Sequence, residues 1–412
     1  MNVIIEGFKP NGNVTVPCSK SEAHRVLIMA FLLKKKITIH NISYSDDICA
    51  TMSALEVLGA KFDKREDHIE IVEYGECASE VVMDVKQSAS TLRFLLPIAI
   101  HYAKEVTFKG DVSLFKRPID VYKQTFDKEL EFCLGADYLT VKGQLKSHNY
   151  KVNTSISSQF VTGLMFLLVA NNKVKFIDLG GECVSKNYID ITINVMERFG
   201  VFVSRQNNQI SVDIKDTDIK SYYLEGDYSQ AANFLVLGAI NGCISVKNLC
   251  INSKQGDKVV CDILSKMGAK VEFCNQACAA SGMSECSNVE IDLENCIDLG
   301  PILFVCAAFN RGTTRFVNTK RLSIKESDRA RAMQNNLNKA NVDMVVFENE
   351  VIIKGNPNIA GNFVFETFND HRIAMAMSVF AVLNKGISVI KNVECVNKSY
   401  PNFVNDLFSL KI

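Results

Sequence analysis

A passage in which a helix ends and runs straight into a strand recurs along this chain about every 70 residues, and no other feature restricts the fold as much. The copies are LEVLGAKF around Gly59, LEFCLGADYLTV around Gly135, VMERFGVFV around Gly200, ILSKMGAKVEF around Gly268 and NNLNKANVDMVVF around Asn341. Glycine and asparagine both tolerate the left-handed conformation that caps a helix, so the exchange at 341 keeps the local physics. The intervals are 76, 65, 68 and 73 residues (135 − 59, 200 − 135, 268 − 200, 341 − 268), and the chain ends where a sixth copy, NDLFSLKI, reaches this point.

Each unit holds a second, more apolar helix: SEAHRVLIMAFLL, SASTLRFLLPIAI, SSQFVTGLMFLLVA, DYSQAANFLVLGAI, IDLGPILFVCAAF and NDHRIAMAMSVFAVL. Helices apolar nearly all round belong inside a domain, whereas the first set shows one wet face, as in DKELEF and MERF. Between them lie the β-branched and aromatic stretches KITIHNI, EVTFKG, KVKFIDL, CISVKNL, TTRFVNT and GISVIKNV, each predicted to be a strand. The unit therefore reads strand, helix, strand, helix, strands. A chain of 412 residues exceeds one ordinary core. Three units per half give two similar α/β domains, with the crossover around Glu225 in YYLEGDYS.

The 46 basic and 46 acidic residues cancel, so the chain lacks the uniform positive field that nucleic acid or an anionic membrane calls for. Its start has no secretory pattern, and the runs LLPIAI and VTGLMFLLVA are too short to span a bilayer, so a cytoplasmic location is expected. Fourteen cysteines scattered among apolar neighbours read as reduced thiols. The local group Cys274, Cys278, Cys286 and Cys296 lacks paired CxxC spacing and a nearby histidine, so no metal is expected.

Polar residues crowd the starts of the helices. The apolar set carries Lys20, Ser21 and Arg25; Ser88, Ser90 and Arg93; Ser157, Ser158 and Gln159; Asp298; and Asp370, His371 and Arg372. The other set opens with Arg117 and Asp120, Ser185 and Lys186, Lys325, Glu326, Asp328 and Arg329, and Lys398 and Ser399. Serine and aspartate serve as caps there, but capping needs no arginine or lysine. Cations at a helix N-terminus oppose its dipole unless an anion sits between them, so the pattern points to phosphate and carboxylate ligands. GxxxxGK[ST], GxGxxG after a strand, HExxH and GxSxG are all absent. Nucleotide hydrolysis, dinucleotide redox chemistry, metalloproteolysis and serine hydrolysis thus lack their parts.

Spread in order over the whole chain, VPCSKSEAHR, STLRFLLP, FKRPID, SSQFVTGL, LGP after Asp298, IKESDR, FNDHRIAMA and VNKSYPNF resemble the 5-enolpyruvylshikimate-3-phosphate (EPSP) synthase family. The resemblance implies transfer of the enolpyruvyl group of phosphoenolpyruvate to the 5-hydroxyl of shikimate 3-phosphate, a step toward chorismate and the aromatic amino acids. It implies two inside-out α/β domains, each of three βαβαββ repeats, that close on their substrates. The first takes residues 15–224; the second, 1–14 with 225–412. Members are cofactor-free and usually monomeric.

Carried over by position, shikimate 3-phosphate meets Lys20, Ser21, Arg25, Ser157, Ser158, Gln159, Ser185, Tyr188, Asp298 and Lys325. Phosphoenolpyruvate meets Lys20, Arg117, Gln159, Arg329, Arg372 and Lys398, with the backbone at Ala89 alongside. Asp298 is the expected base and Glu326 the expected acid, with Lys20 aiding departure of phosphate. His371 reads as structural.

Three positions depart from the family pattern: Cys18 for a small turn residue, Asn402 for an acidic one, and Ala89 for the usual glycine. The last bears on glyphosate, the family's inhibitor. Two alternatives share the fold. A transferase acting on a UDP-sugar typically opens with a KNAA-type motif and has a mobile-loop cysteine, where this chain reads SKSEAHR and SLFKRPID. A catalytically inactive anion-binding relative is at odds with the intact Asp298 and Glu326.

Overall fold

The fold was taken from a computed structural model that describes residues 1–181, 184–283 and 288–411. The chain divides into two units, Cys18–Leu224 and Met1–Pro17 with Glu225–Ile412. Helices of the first unit are α1 (Lys20–Leu32), α2 (Asp46–Val57), α3 (Ala89–Tyr102), α4 (Val112–Phe115), α5 (Asp120–Thr125), α6 (Ser158–Ala170) and α7 (Lys186–Arg198). Those of the second are α8 (Tyr228–Asn241), α9 (Val260–Lys266), α10 (Gly300–Phe309), α11 (Arg329–Lys339), α12 (His371–Leu383) and α13 (Phe403–Ser409).

The apolar helices α1, α3 and α6, and α8, α10 and α12, lie in the interior of their units. Every residue of α10 and α12 is buried, as helices without a wet face require. By contrast α7 and α11 bury one stripe and leave Lys186, Glu197, Arg331 and Lys339 on the other. At Gly163 in α6 an added Cβ would stand 2.1 Å from the Tyr122 hydroxyl and 2.4 Å from the Arg93 carbonyl, so glycine is what lets α6 approach α3 and α5 so closely.

Among the described residues six sheets wrap these helices. Each contains one parallel pair and then continues antiparallel. In the first unit Glu80–Lys86 pairs parallel with Glu105–Gly110, followed antiparallel by Tyr138–Gly143 and Leu130–Leu134. In the second, Val289–Asp292 pairs parallel with Gly312–Val317, followed by Glu350–Gly355 and Asp343–Val346. The last sheet has three strands, and Val3–Glu6 from the start of the chain forms its antiparallel edge beside Ile387–Ile390. This is the α/β repeat architecture expected from the sequence.

Two details differ from the sequence reading. Gly59, Gly200, Gly268 and Asn341 do take positive φ after a helix, but Gly135 does not. The segment read there as a helix end, including DKELEF, contains the strand Leu130–Leu134, and Gly135 lies in the turn that returns to Tyr138. The equivalent helix is α5, and Lys128 (φ 68°) occupies the left-handed position that follows it. It lies 69 residues after Gly59 (128 − 59) and 72 before Gly200 (200 − 128), a more even period than glycine suggested. Strand pairing of Phe132 with Val141 and Leu134 with Leu139 overrides the helical preference of LEFCL. Residues 15–17 also group with the second unit and not the first. Thr15 pairs with Lys247, and Val16 is buried in the core that contains α8.

Candidate active site

In the unit Cys18–Leu224, side chains tie together the N-terminal parts of five helices, α1, α2, α3, α6 and α7. Lys20 opens α1 after the Ser19 cap, and its ammonium lies 2.7 Å from Asp47 of α2. Arg25, one turn later, is 2 % exposed and lies over the Phe94 ring. Its guanidinium donates to the Thr192 hydroxyl (2.8 Å) and to the carbonyls of Ser21 (2.6 Å) and Tyr188 (3.0 Å). Burial holds its pKa below the usual guanidinium value yet above neutrality, so it remains a cation whose described hydrogen bonds end on uncharged oxygens. Such a centre is suited to an anion.

Gln159, in the first turn of α6, receives Arg93 of α3 on its amide oxygen (2.7 Å) and donates its amide nitrogen to Ser90 (3.0 Å). Ser157 caps the same helix by accepting from the Gln159 N–H (3.3 Å), and Ser158 is buried beside it. Ser185 precedes α7 in the left-handed region (φ 52°) and is also buried. Arg117 lies between α4 and α5, and Arg93 donates to the adjoining Pro118 carbonyl at 2.9 Å. Ala89 is the first residue of α3 and is buried.

The second unit holds a denser charge cluster, centred on Asp298 in the turn Ile297–Leu299 ahead of α10. One carboxylate oxygen accepts from Lys325 (3.0 Å) and Arg329 (2.7 Å), and the other from Arg372 (3.3 Å). Arg329, 1 % exposed at the start of α11, also meets Glu326 at 2.6 Å and Asp370 at 2.8 Å. Asp370 caps α12 through the Arg372 N–H (2.9 Å) and accepts from Ser327 (3.1 Å). Burial opposes ionisation of Asp298, but Arg372, Lys325 and Arg329 outweigh it and hold its pKa well below the usual carboxylate range. For Lys325 burial lowers the pKa against the pull of Asp298.

Lys398 ends the turn Val393–Lys398 and is buried; it and Ser399 do not open α13, which begins at Phe403. His371 is likewise buried.

The cluster thus concentrates cations around carboxylates that anionic ligands could replace. The EPSP synthase (3-phosphoshikimate 1-carboxyvinyltransferase) family model matches residues 6–407. The chain belongs to the EPSP synthase family. The 3-phosphoshikimate 1-carboxyvinyltransferase of Clostridium acetobutylicum is 39 % identical over 410 residues, covering 97 % of this chain and 95 % of the relative. That of Clostridium beijerinckii is 38 % identical over 423 residues, covering 99 % and 97 %. The EPSP synthase structure from Acinetobacter baumannii shares the fold with a TM-score of 0.81 at 23 % identity, covering 100 % of this chain and 98 % of that one.

Within this EPSP synthase framework, several residues beside the expected site escaped the sequence reading. Asp47 is the counter-ion of Lys20, and its only signal was the acidic pair DD at the start of α2. Asp257 is buried and accepts a hydrogen bond from Ser229. Burial, then repulsion by Asp298, raise its pKa to about 6 against the pull of Arg372. Nothing in its stretch KQGDKVV sets it apart from an ordinary surface carboxylate beside a lysine.

Among the described residues no group of three or more His, Cys, Asp or Glu side chains could hold a metal, and no helix is long and apolar enough to cross a membrane. Cys286 of the cysteine group lies outside the described residues; Cys274 is exposed, and Cys278 and Cys296 are buried free thiols.

Proposed function

We propose that this chain transfers the enolpyruvyl group of phosphoenolpyruvate to the 5-hydroxyl of shikimate 3-phosphate and releases phosphate, without a cofactor, as a cytoplasmic monomer. The observation that carries the reading is the Asp298 cluster: one ionised carboxylate held by Lys325, Arg329 and Arg372, with Glu326 on the same arginine.

In this reading Lys20, Ser21, Arg25, Ser157, Ser158, Gln159, Ser185, Tyr188, Asp298 and Lys325 hold shikimate 3-phosphate. Lys20, Ala89, Arg117, Gln159, Arg329, Arg372 and Lys398 hold phosphoenolpyruvate. The buried Arg25, with only uncharged oxygens as described hydrogen-bond partners, supports an anionic ligand in the first unit.

Asp298 takes the proton of the 5-hydroxyl as its oxygen bonds to the central carbon of phosphoenolpyruvate, and Glu326 protonates the methylene carbon. The tetrahedral adduct then returns a methyl proton and expels phosphate, restoring the double bond. Lys20, Lys398 and the arginines stabilise the leaving charge. A carboxylate held by three cations is a weak base. Substrate phosphate and carboxylate groups compete for those cations, and as they draw them off the basicity of Asp298 rises.

Phosphate release tested with both substrates, with each alone, and with a UDP-sugar in place of shikimate 3-phosphate decides the matter. Turnover that requires phosphoenolpyruvate and shikimate 3-phosphate together is expected. Release with the UDP-sugar instead, or none at all, would refute the assignment.

A further inference from the structure

Beneath the first turn of α3 runs a chain of buried polar contacts whose direction follows from counting protons. Ser88 caps α3: its oxygen accepts from the Thr91 N–H at 3.3 Å and from the Thr91 hydroxyl at 2.8 Å. Thr91 has one hydroxyl proton, which that second contact uses. In its 2.7 Å contact with Thr51 of α2, Thr91 must therefore accept and Thr51 donate. The proton of Thr51 is then committed as well. At 2.7 Å from His24 of α1 the threonine must accept, so the ring carries its proton on Nδ1.

His24, Thr51, Thr91 and Ser88 are each no more than 1 % exposed. In such a dry setting successive hydrogen bonds polarise one another, and a missing member leaves its neighbours without a substitute from solvent. The chain joins α1, α2 and α3 and ends one residue before Ala89. Beyond Ala89, the Ser90 hydroxyl accepts from Gln159. The Ser88–Ser90 turn is thus held from beneath by His24 through two threonines and from α6 by Gln159.

We propose that the directed His24–Thr51–Thr91–Ser88 relay is a positioning device that sets the place of the Ala89 backbone and thereby the fit of phosphoenolpyruvate. This rests on the reading that the ligand lies against Ala89. None of the four is assigned a contact with substrate; they act through the turn they hold.

Two variants at Thr51 separate the hydroxyl from the shape. Thr51→Val keeps the side-chain volume and removes two hydrogen bonds, whereas Thr51→Ser keeps the hydroxyl and removes a methyl. The relay predicts that Thr51→Val raises KM for phosphoenolpyruvate roughly 5- to 30-fold, the scale of losing a buried hydrogen bond. The KM for shikimate 3-phosphate should stay within about twofold and kcat within about threefold, as expected when one ligand's binding alone is disturbed. Thr51→Ser should restore the wild-type KM. If packing alone matters the order reverses, with Ser the more damaging variant, and the proposal falls.

Nitrogen-15 NMR of the wild type tests the relay without any substitution. The neutral His24 ring should carry its proton on Nδ1, and a proton on Nε2 with Nδ1 bare would overturn the relay. A wild type that releases no phosphate overturns the functional reading itself. One that turns over normally while Thr51→Val matches it in every constant overturns the relay alone.

Discussion

Asp298→Asn should separate binding from chemistry. The carboxylate accepts from Lys325, Arg329 and Arg372, the same cations proposed for the substrate anions. An asparagine keeps the shape but cannot take the proton of the attacking hydroxyl, so kcat should fall by about two to four orders of magnitude. It also competes less for the cations. Arg329 retains Asp370 and Glu326, but Lys325 and Arg372 lose their described ion-pair partner. A charge-assisted hydrogen bond is worth about 1.5 to 3 kcal/mol, so relief of one such contact should tighten phosphoenolpyruvate binding roughly 10- to 100-fold. Phosphate release gives kcat, and calorimetric titration in the presence of shikimate 3-phosphate gives the affinity. Unchanged kcat would remove Asp298 as the base, and weakened binding would refute the competition. Stability should move the other way. The folded pKa is depressed, so the ionised group stabilises the fold above its unfolded pKa, near 3.8, and that contribution is lost as pH falls through the lower folded value. The asparagine variant should therefore melt below the wild type at pH 7, with the gap narrowing below about pH 4.

Asp257 has the opposite sign, because burial and the Asp298 carboxylate push its folded pKa up to about 6, above the ordinary carboxyl range. The protonated form is favoured in the fold, so stability is fully present below the unfolded pKa and is lost as pH rises through about 6. Asp257→Asn should gain on the wild type by about 1 to 2 kcal/mol between pH 5 and pH 8; parallel melting curves would refute this. The resemblance sets Ala89 against the family's usual glycine, beside the proposed phosphoenolpyruvate, and glyphosate is slightly longer than that ligand. One methyl too many in a tight site costs about 1 to 3 kcal/mol, so Ala89→Gly should sharpen glyphosate inhibition by about one to two powers of ten. Unchanged inhibition at fixed phosphoenolpyruvate would mean that the helix start absorbs the methyl.

The sixfold period, the two kinds of helix and the clustering of Arg, Lys and Ser at helix starts were legible in the sequence because each is a local pattern. Apolar residues all round a helix demand burial, and a left-handed cap demands glycine or asparagine in most copies. At Gly135 the local pattern is overridden: cross-strand pairing outweighs helix propensity, and Lys128 takes the left-handed position. Residues 15–17 group with the second unit through the pairing of Thr15 with Lys247, a contact that only the sheet reveals. At the site, the motifs named Asp298, Lys325, Glu326, Arg329 and Arg372, but not which carboxylate meets which cation. Ion pairing is set by distances between segments as far apart as Asp298 and Arg372. Asp257 and the hydroxyls of Thr51 and Thr91 could be found only in three dimensions, and the acidic pair at the start of α2 does not by itself say that Asp47 meets Lys20. A buried polar group takes its meaning from the partner that satisfies it, and that partner stands on another helix or turn.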